Sequence, residues 1–248
     1  MSASRDHLKG RRLFTPGPLT TSAAVKRAML RDLGSRDREF TAVVRAVRRG
    51  LLEAAGVSQE GGYEAVPMQG SGTFGVEAVL TCAAPPGGKW LIVSNGAYGE
   101  RMVRICQVHR IAHTVLRCPE DERPSPAALD RALAGDPAVT GVAAVHCETT
   151  TGILNPAEEI GRVAKAHGKT YALDSMSAFG GVEFDLPASA ADFLVSSSNK
   201  CVEGVPGQSF VLCRRDALLA TAGRASSGQR RTAWGMRWTW QMRAIRSP

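Results

Sequence analysis

The sequence SSSNKCVEGVPG, residues 196–207, places one lysine, Lys200, among small polar residues. It directly follows FLV at 193–195, an apolar run typical of a buried strand. A lysine at the mouth of such a strand can lose part of its hydration, which favours the neutral, nucleophilic amine. Neutral lysine forms Schiff bases with aldehydes. Taken alone, Lys200 would more often be an ordinary surface residue in a loop.

The rest of the chain alternates apolar runs with helical patterns. Strand-like runs that enter a polar or glycine-rich turn occur at 65–83, 90–109, 141–156, 170–181 and 191–200, and a further run, QSFVLCRR, follows at 208–215. Helical spacing occurs at 22–33, 40–57 and 156–169. Strands that alternate with helices predict an α/β fold, with a mostly parallel sheet covered by helices on both faces.

Polar residues gather where the predicted strands end. Ligands of parallel sheets lie outside the carboxyl ends of the strands, which meet at one edge. Polar or glycine-rich residues occupy such ends at 71–73, 95–98, 148–151, 174–175 and 196–200. Each group alone could be an ordinary turn or cap. Together they predict one ligand site at one edge of the sheet.

Three of these groups suggest a chemistry. Asp174 could keep a pyridine nitrogen protonated, which makes the ring an electron sink, although an aspartate there could equally cap a turn. The turn GSGT at 70–73 precedes a helical pattern, and N–H groups at a helix N-terminus bind phosphate. Tyr98 could stack on a planar ring or simply pack. The glycine spacing matches neither a Walker A loop nor GxGxxG.

The chain resembles the class V aminotransferases, which are fold-type I pyridoxal phosphate enzymes. The resemblance lies in the order of the candidate residues along the chain: a phosphate turn, an aromatic residue, a threonine loop, an aspartate and a lysine. The motifs that carry the resemblance are TPGPLTTS (15–22), GSRD (34–37), MQGSGTFGVEAVL (68–80), VSNGAYGERM (93–102), HCETTTGILNP (146–156), LDSMSAFGG (173–181) and SSSNKCVEGVPG (196–207). The first two favour the phosphonate branch of the family.

The resemblance implies two catalytic residues. Lys200 is expected to bond covalently to pyridoxal 5′-phosphate, and Asp174 to pair with its pyridine nitrogen. Further cofactor contacts are implied for Ser71, Gly72, Thr73, Tyr98, Thr149, Met176 and Asn199. The loop of Pro16, Gly17 and Pro18 is expected to border the substrate pocket. The sequence has no CxxC pair, so no metal site is expected.

The implied reaction is a ping-pong transamination. The resemblance implies that 2-aminoethylphosphonate gives its amine and leaves as phosphonoacetaldehyde, and that pyruvate takes the amine and leaves as alanine. Lys200 would move the proton as general base and acid. We expect a cytoplasmic homodimer, because the family builds its sites at a subunit interface and the six cysteines suit a reducing compartment. We expect no nucleic-acid partner and no membrane association.

The domain organisation is expected to have three parts: a leader at 1–12, a cofactor-binding large domain at 13–223, and a basic tail at 224–248. The net charge of +8 comes mainly from six arginines in that tail; without them, 25 basic residues face 23 acidic ones, a charge of +2. Family members continue into a small C-terminal domain. We therefore expect a truncated chain whose tail is an aberrant or frameshifted sequence.

Other functions remain open. The chain could be an alanine–glyoxylate or serine–pyruvate aminotransferase, or a remnant that binds the cofactor without catalysis. A cysteine desulfurase is disfavoured, because Asn199 stands where that group usually has a histidine. The arginines and tryptophans of the tail could also bind single-stranded nucleic acid by stacking.

Overall fold

The computed structural model describes residues 12–224. Its strands are β1 (Tyr63–Gln69), β2 (Lys89–Ser94), β3 (Ala112–Arg117), β4 (Val139–Val145), β5 (Cys147–Glu148), β6 (Ile153–Leu154), β7 (Thr170–Asp174), β8 (Phe193–Ser197) and β9 (Gln208–Arg214). Its helices are α1 (Ala23–Ala28), α2 (Arg38–Ala54), α3 (Gly72–Cys82), α4 (Ala97–Val108), α5 (Pro126–Gly135), α6 (Ala157–Ala166), α7 (Leu186–Ser189) and α8 (Arg215–Ala220).

The main sheet has seven strands in the order β1-β9-β8-β7-β4-β2-β3. The neighbours from β8 to β3 are all parallel, whereas β9 is antiparallel to both β8 and β1. Six strands therefore share one direction, and their carboxyl ends lie at one edge. The predicted mostly parallel α/β sheet is confirmed.

The core has two layers, one on each face of the sheet. Successive strand residues point to opposite faces, so Trp90 and Ile92 of β2 join one cluster while Leu91 and Val93 join the other. Helices α3, α4 and α8 cover the first face, and α2, α5 and α6 cover the second. This two-sided burial explains why the strands read as continuous apolar runs.

Local details differ from the sequence predictions at several elements. The helix predicted at 22–33 begins after the Ser22 cap but ends at Ala28, and none of its residues is buried. A short helix without tertiary packing is only marginally stable in water, so helical spacing alone does not extend α1 beyond Ala28. Strand β3, helices α5 and α7 and the small β5–β6 hairpin were not predicted from the sequence. All but the first residue of the predicted tail and all but the last residue of the predicted leader lie outside the described residues.

None of the helices within residues 12–224 combines the length and the apolar character that crossing a membrane requires.

Candidate active site

The predicted strand ends converge at the carboxyl edge of the sheet. Asp174 ends β7, the segment with Lys200 follows the adjacent β8, and His146 follows β4 on the other side of β7. The turn before α3 lies at the same edge. Its Gly70 N–H donates at 2.8 Å to the carbonyl of Gly207, the residue before the antiparallel strand β9. The sheet therefore brings together residues that are far apart in the sequence.

A small, open pocket lies at this edge. Its lining residues are Thr73, Val76, Tyr98, Arg101, Met102, Asp174 and Met176. Four of them are predicted cofactor residues. A fifth such residue, Gly72, lies beside the pocket, because a Cβ atom there would stand only 2.3 Å from the sulfur of Met176. Glycine at this position lets the methionine lie against the start of α3.

The start of α3 combines backbone donors with hydroxyl groups. Ser71 is the N-cap residue and is exposed, and its carbonyl accepts the N–H groups of Phe74 and Gly75 at 3.0 and 3.3 Å. The first N–H groups of a helix point along its axis beyond its start, where the macrodipole is positive. This end of α3 is therefore suited to an anion, as the sequence predicts.

Asp174 is the buried carboxyl group of the pocket, with 7% of its surface exposed. Burial raises its pKa from 3.8 to about 6, and the nearby Glu148 carboxylate acts in the same direction. The N–H of Met176, which donates to Asp174 Oδ1 at 3.1 Å, lowers the pKa, as do the charges of Arg101 and Lys200. A cationic partner in the pocket would stabilise the ionised form of this carboxyl group.

Lys200 is partly buried and lies beside the N-terminal loop. Its side chain rests on the backbone of Gly17, and Leu19 N–H donates to the carbonyl of Asn199 at 3.1 Å. Of the predicted substrate-loop residues, Gly17 thus contacts the lysine directly, and Pro16 and Pro18 flank it in the chain. Asn199 contributes its backbone to this junction.

Arg101 is a pocket residue that sequence reasoning missed. Its guanidinium carbon lies 4.5 Å from the centroid of the Tyr98 ring, and Nη1 donates to Thr73 Oγ1 at 3.2 Å. A cation over an aromatic face is attracted by the ring quadrupole. Its position three residues after Tyr98 on α4 could have revealed the contact, because such pairs are neighbours on a helix.

Thr149 lies outside the pocket lining but remains linked to it. Its hydroxyl donates to Ser177 Oγ at 3.0 Å, and Ser177 Oγ donates to the carbonyl of Cys147 at 2.8 Å. Ser177 was not among the predicted site residues. The pair joins the threonine loop to the segment after Asp174.

Two buried groups next to the pocket residues were assigned no individual role from the sequence. His146 has Nδ1 2.9 Å from Ser175 Oγ, and burial lowers its pKa to about 4, so the imidazole is neutral near pH 7. Glu148 is fully buried and accepts the N–H groups of Tyr98 and Gly99. Within residues 12–224, no group of three or more His, Cys, Asp or Glu side chains is placed to hold a metal ion.

Comparison with known proteins identifies relatives across most of the chain. A family model described as aminotransferase class-V matches residues 20–243. A 2-aminoethylphosphonate–pyruvate transaminase of Syntrophobacter fumaroxidans is 49% identical over 215 residues, which cover 87% of this chain and 57% of the relative. A protein of the same name from Salmonella paratyphi B is 49% identical over 225 residues, which cover 90% of this chain and 60% of the relative.

The fold also matches a solved structure, the ureidoglycine–glyoxylate aminotransferase of Bacillus subtilis. The TM-score is 0.86 at 23% identity, with 97% of this chain and 60% of that chain covered. At that identity the likeness supports the fold alone. The chain spans less than two thirds of the length of the curated relatives above. The family match extends past residue 223, so the domain boundary there stays a prediction.

Proposed function

The chain belongs to the aminotransferase class-V family, and on that premise we propose that it binds pyridoxal 5′-phosphate and transfers the amine of 2-aminoethylphosphonate to pyruvate. The observation that carries the proposal is the pocket at the start of α3, which Tyr98 and Asp174 line, together with the charge of Lys200 close enough to act on Asp174. The names of the relatives that are 49% identical support the choice of substrates.

The residues of the site fit this cofactor chemically. The exposed Ser71 hydroxyl and the N–H groups at the start of α3 suit its phosphate, and the Tyr98 ring suits its planar face. Asp174 is a buried acid in the same pocket, which suits a pyridine nitrogen. When bound, the cofactor supplies a ring that draws electrons from the substrate carbon.

Each residue then has a separate task. Lys200 would hold the cofactor through its amine, and the free amine would carry a proton from and to the reacting carbon. Asp174 stays ionised above its pKa of about 6 and pairs with the ring nitrogen. The remaining proposed cofactor contacts hold the group in place: Ser71, Gly72, Thr73, Tyr98, Thr149, Met176 and Asn199.

The loop of Pro16, Gly17 and Pro18 is proposed to border the substrate pocket. The contact of Gly17 with the Lys200 side chain supports this role, because the substrate amine must reach the carbon to which that lysine is bound. Thr15 Oγ1 donates to the carbonyl of Pro18 at 3.0 Å, which closes the loop on itself.

We further propose a cytoplasmic homodimer. The segment before α2 exposes large apolar side chains, with 93% of Phe14, 79% of Leu30 and 62% of Met29 accessible. Exposed apolar side chains of this size are typical of a surface that another chain covers. The six cysteines all lie within residues 12–224 and are free thiols, which supports a reducing compartment. The division into residues 1–12, 13–223 and 224–248 belongs to the same proposal.

The test begins with cofactor attachment. The purified chain is mixed with pyridoxal 5′-phosphate, reduced with borohydride and digested, and the labelled peptide is identified by mass spectrometry. We expect the label on Lys200 in the wild type and in the control Lys169→Arg, but not in Lys200→Arg. Absence of a Lys200 label in the wild type would refute the proposal.

Turnover is tested separately. Addition of 2-aminoethylphosphonate should remove the visible absorption of the bound cofactor, and later addition of pyruvate should restore it with release of alanine. Attachment without this change would mean a cofactor-binding remnant. A response to alanine and glyoxylate, but not to the phosphonate, would favour the alternative aminotransferase.

A further inference from the structure

We propose that Glu148 is a positioning residue of this site: its buried carboxylate holds the start of α4 and thereby fixes the Tyr98 ring at the pocket. The inference rests on the proposed function where the ring is concerned. The part that concerns α4 can be tested without any cofactor.

The contacts of Glu148 converge on the first turn of α4. Its Oε2 accepts the N–H of Tyr98 at 3.2 Å and that of Gly99 at 3.4 Å. Its Oε1 lies 3.3 Å from the same Tyr98 nitrogen and accepts the Thr150 hydroxyl at 3.0 Å. Glu148 has no exposed surface. A buried carboxylate is costly unless such donors satisfy it.

Glu148 replaces a cap that α4 lacks locally. The N-cap residue is Gly96, which has no side chain to accept the first N–H groups of the helix. The carboxylate comes instead from β5, in a distant part of the sequence, and its charge faces the positive end of a 12-residue helix. The helix therefore depends on a tertiary contact for its N-terminal capping.

Gly96 leaves the space that the Glu148 side chain needs. A Cβ atom on Gly96 would stand 2.4 Å from Cγ and 2.6 Å from Cδ of Glu148. The backbone at Gly96 is extended, with φ 168°, so any residue could adopt it. Glycine is therefore needed at position 96 for space alone, and the space is occupied by the Glu148 side chain.

The consequence for the pocket follows from the position of Tyr98. Glu148 binds the backbone of the residue that carries the ring, and Arg101 lies over that ring one turn later. Glu148 also acts electrostatically on Asp174, which Arg101 and Lys200 face with the opposite charge. One buried carboxylate thus affects the aromatic residue and the acid of the pocket.

The first test compares Glu148→Ala, Glu148→Gln and the control Glu120→Gln, which removes an exposed acid outside α4. In the cofactor-free protein, we expect amide exchange at Tyr98 and Gly99 to be about tenfold faster in Glu148→Ala, as for one lost charge-assisted hydrogen bond. Glu148→Gln should recover part of the protection, and Glu120→Gln should match the wild type. Equal exchange in all four proteins would overturn the inference.

The second test uses Gly96→Ser. In the wild type this change should lower stability, because the new side chain meets Glu148. In the Glu148→Ala background the same change should raise stability, because the serine fills the vacated space and caps α4. The opposite signs would identify the Gly96–Glu148 contact as the cause. A loss of stability in both backgrounds would contradict it.

The third test reads the ring. With pyridoxal 5′-phosphate bound, we expect Glu148→Gln to alter the visible circular dichroism of the cofactor and weaken its binding about tenfold, a loss of about 1.4 kcal/mol. Unchanged dichroism and affinity would refute the positioning role while leaving the proposed function intact. A wild type that binds no cofactor would refute the proposed function, and amide exchange would still test Glu148.

Discussion

The side chain of Lys200 lies directly against the backbone of Gly17. A Cβ atom on Gly17 would stand 2.4 Å from Cδ, 2.9 Å from Cε and 2.6 Å from Nζ of the lysine. The backbone at Gly17 has φ +146°, in the range that disfavours side chains. The N-terminal loop therefore forms one wall of the lysine's surroundings, and only glycine leaves room for that side chain.

Gly17→Ala should displace Lys200. We expect cofactor attachment at Lys200 to weaken by about tenfold or more, equivalent to at least about 1.4 kcal/mol. The measurement is borohydride trapping of pyridoxal 5′-phosphate as a function of its concentration. Gly87→Ala is the matched control, because Gly87 has φ +72° but nothing within 4 Å of its Cβ position. Equal attachment in both variants would show that Lys200 does not need the space at Gly17.

Arg101→Met should loosen the pocket. The change removes the cation over the Tyr98 ring and the hydrogen bond to Thr73, so we expect the proposed cofactor to bind roughly 3- to 30-fold more weakly. A fluorescence titration with pyridoxal 5′-phosphate measures this effect. Arg104→Met, an exposed position on the same helix, should leave the affinity unchanged. Weakening in both variants alike would indicate a general loss of positive charge instead.

Asp174→Asn should stabilise the cofactor-free protein at neutral pH. The folded pKa of about 6 lies above the ordinary 3.8, so the folded state binds more protons and loses stability as the pH rises through this window. Removal of the charge should therefore add up to about 3 kcal/mol at pH 7 and less than about 1 kcal/mol near pH 4. Urea unfolding at both pH values measures the difference. The exposed Asp121→Asn should show no such pH dependence.

His146→Asn should change the pH dependence of folding stability in the opposite sense to Asp174→Asn. The folded pKa of about 4 lies below the ordinary 6.5, so the unfolded state binds more protons between these values and His146 lowers stability as the pH falls. The variant should therefore lose less stability than the wild type between pH 6.5 and pH 4. Parallel unfolding curves for variant and wild type would show that His146 does not titrate in this way.

The buried amides of Asn95 and Asn155 should be energetically coupled. Asn95 Nδ2 donates to Asn155 Oδ1 at 2.8 Å, and Asn155 Nδ2 donates back at 3.0 Å. Either change to alanine leaves the other amide without this partner, so each should cost about 1–3 kcal/mol. The double variant should cost less than the sum of the two. Strict additivity in urea unfolding would contradict the coupling.

Much of the fold could be predicted because its signals are local. A few neighbouring residues are enough to indicate burial at β7 and β8, which are apolar runs, and a turn before α3, which is rich in glycine. Helix α1 shows the limit of such signals. Its spacing predicts a longer helix, yet no residue of it is buried, and helical spacing alone does not provide a partner.

The position of a candidate residue could be predicted most directly where it follows a strand of the main sheet. Asp174 and the segment with Lys200 are of this kind, because each directly follows an apolar run. Arg101 and Glu148 were missed as site residues because their partners belong to other elements: Thr73 on α3 for the arginine, and α4 for the glutamate. Such pairings depend on how the elements pack.

The sequence by itself determined most strands of the main sheet and the polar residues that stand at their ends, although β3, α5 and α7 were not predicted. The spacing of apolar residues and the residue types of turns depend only on neighbouring residues, so they can be recognised along the chain. Only the tertiary structure decided that β9 runs against its neighbours, that Gly17 lies on Lys200, and that Glu148 caps α4. These contacts join residues far apart in the sequence, and packing of the whole sheet and its helices sets the distances between them.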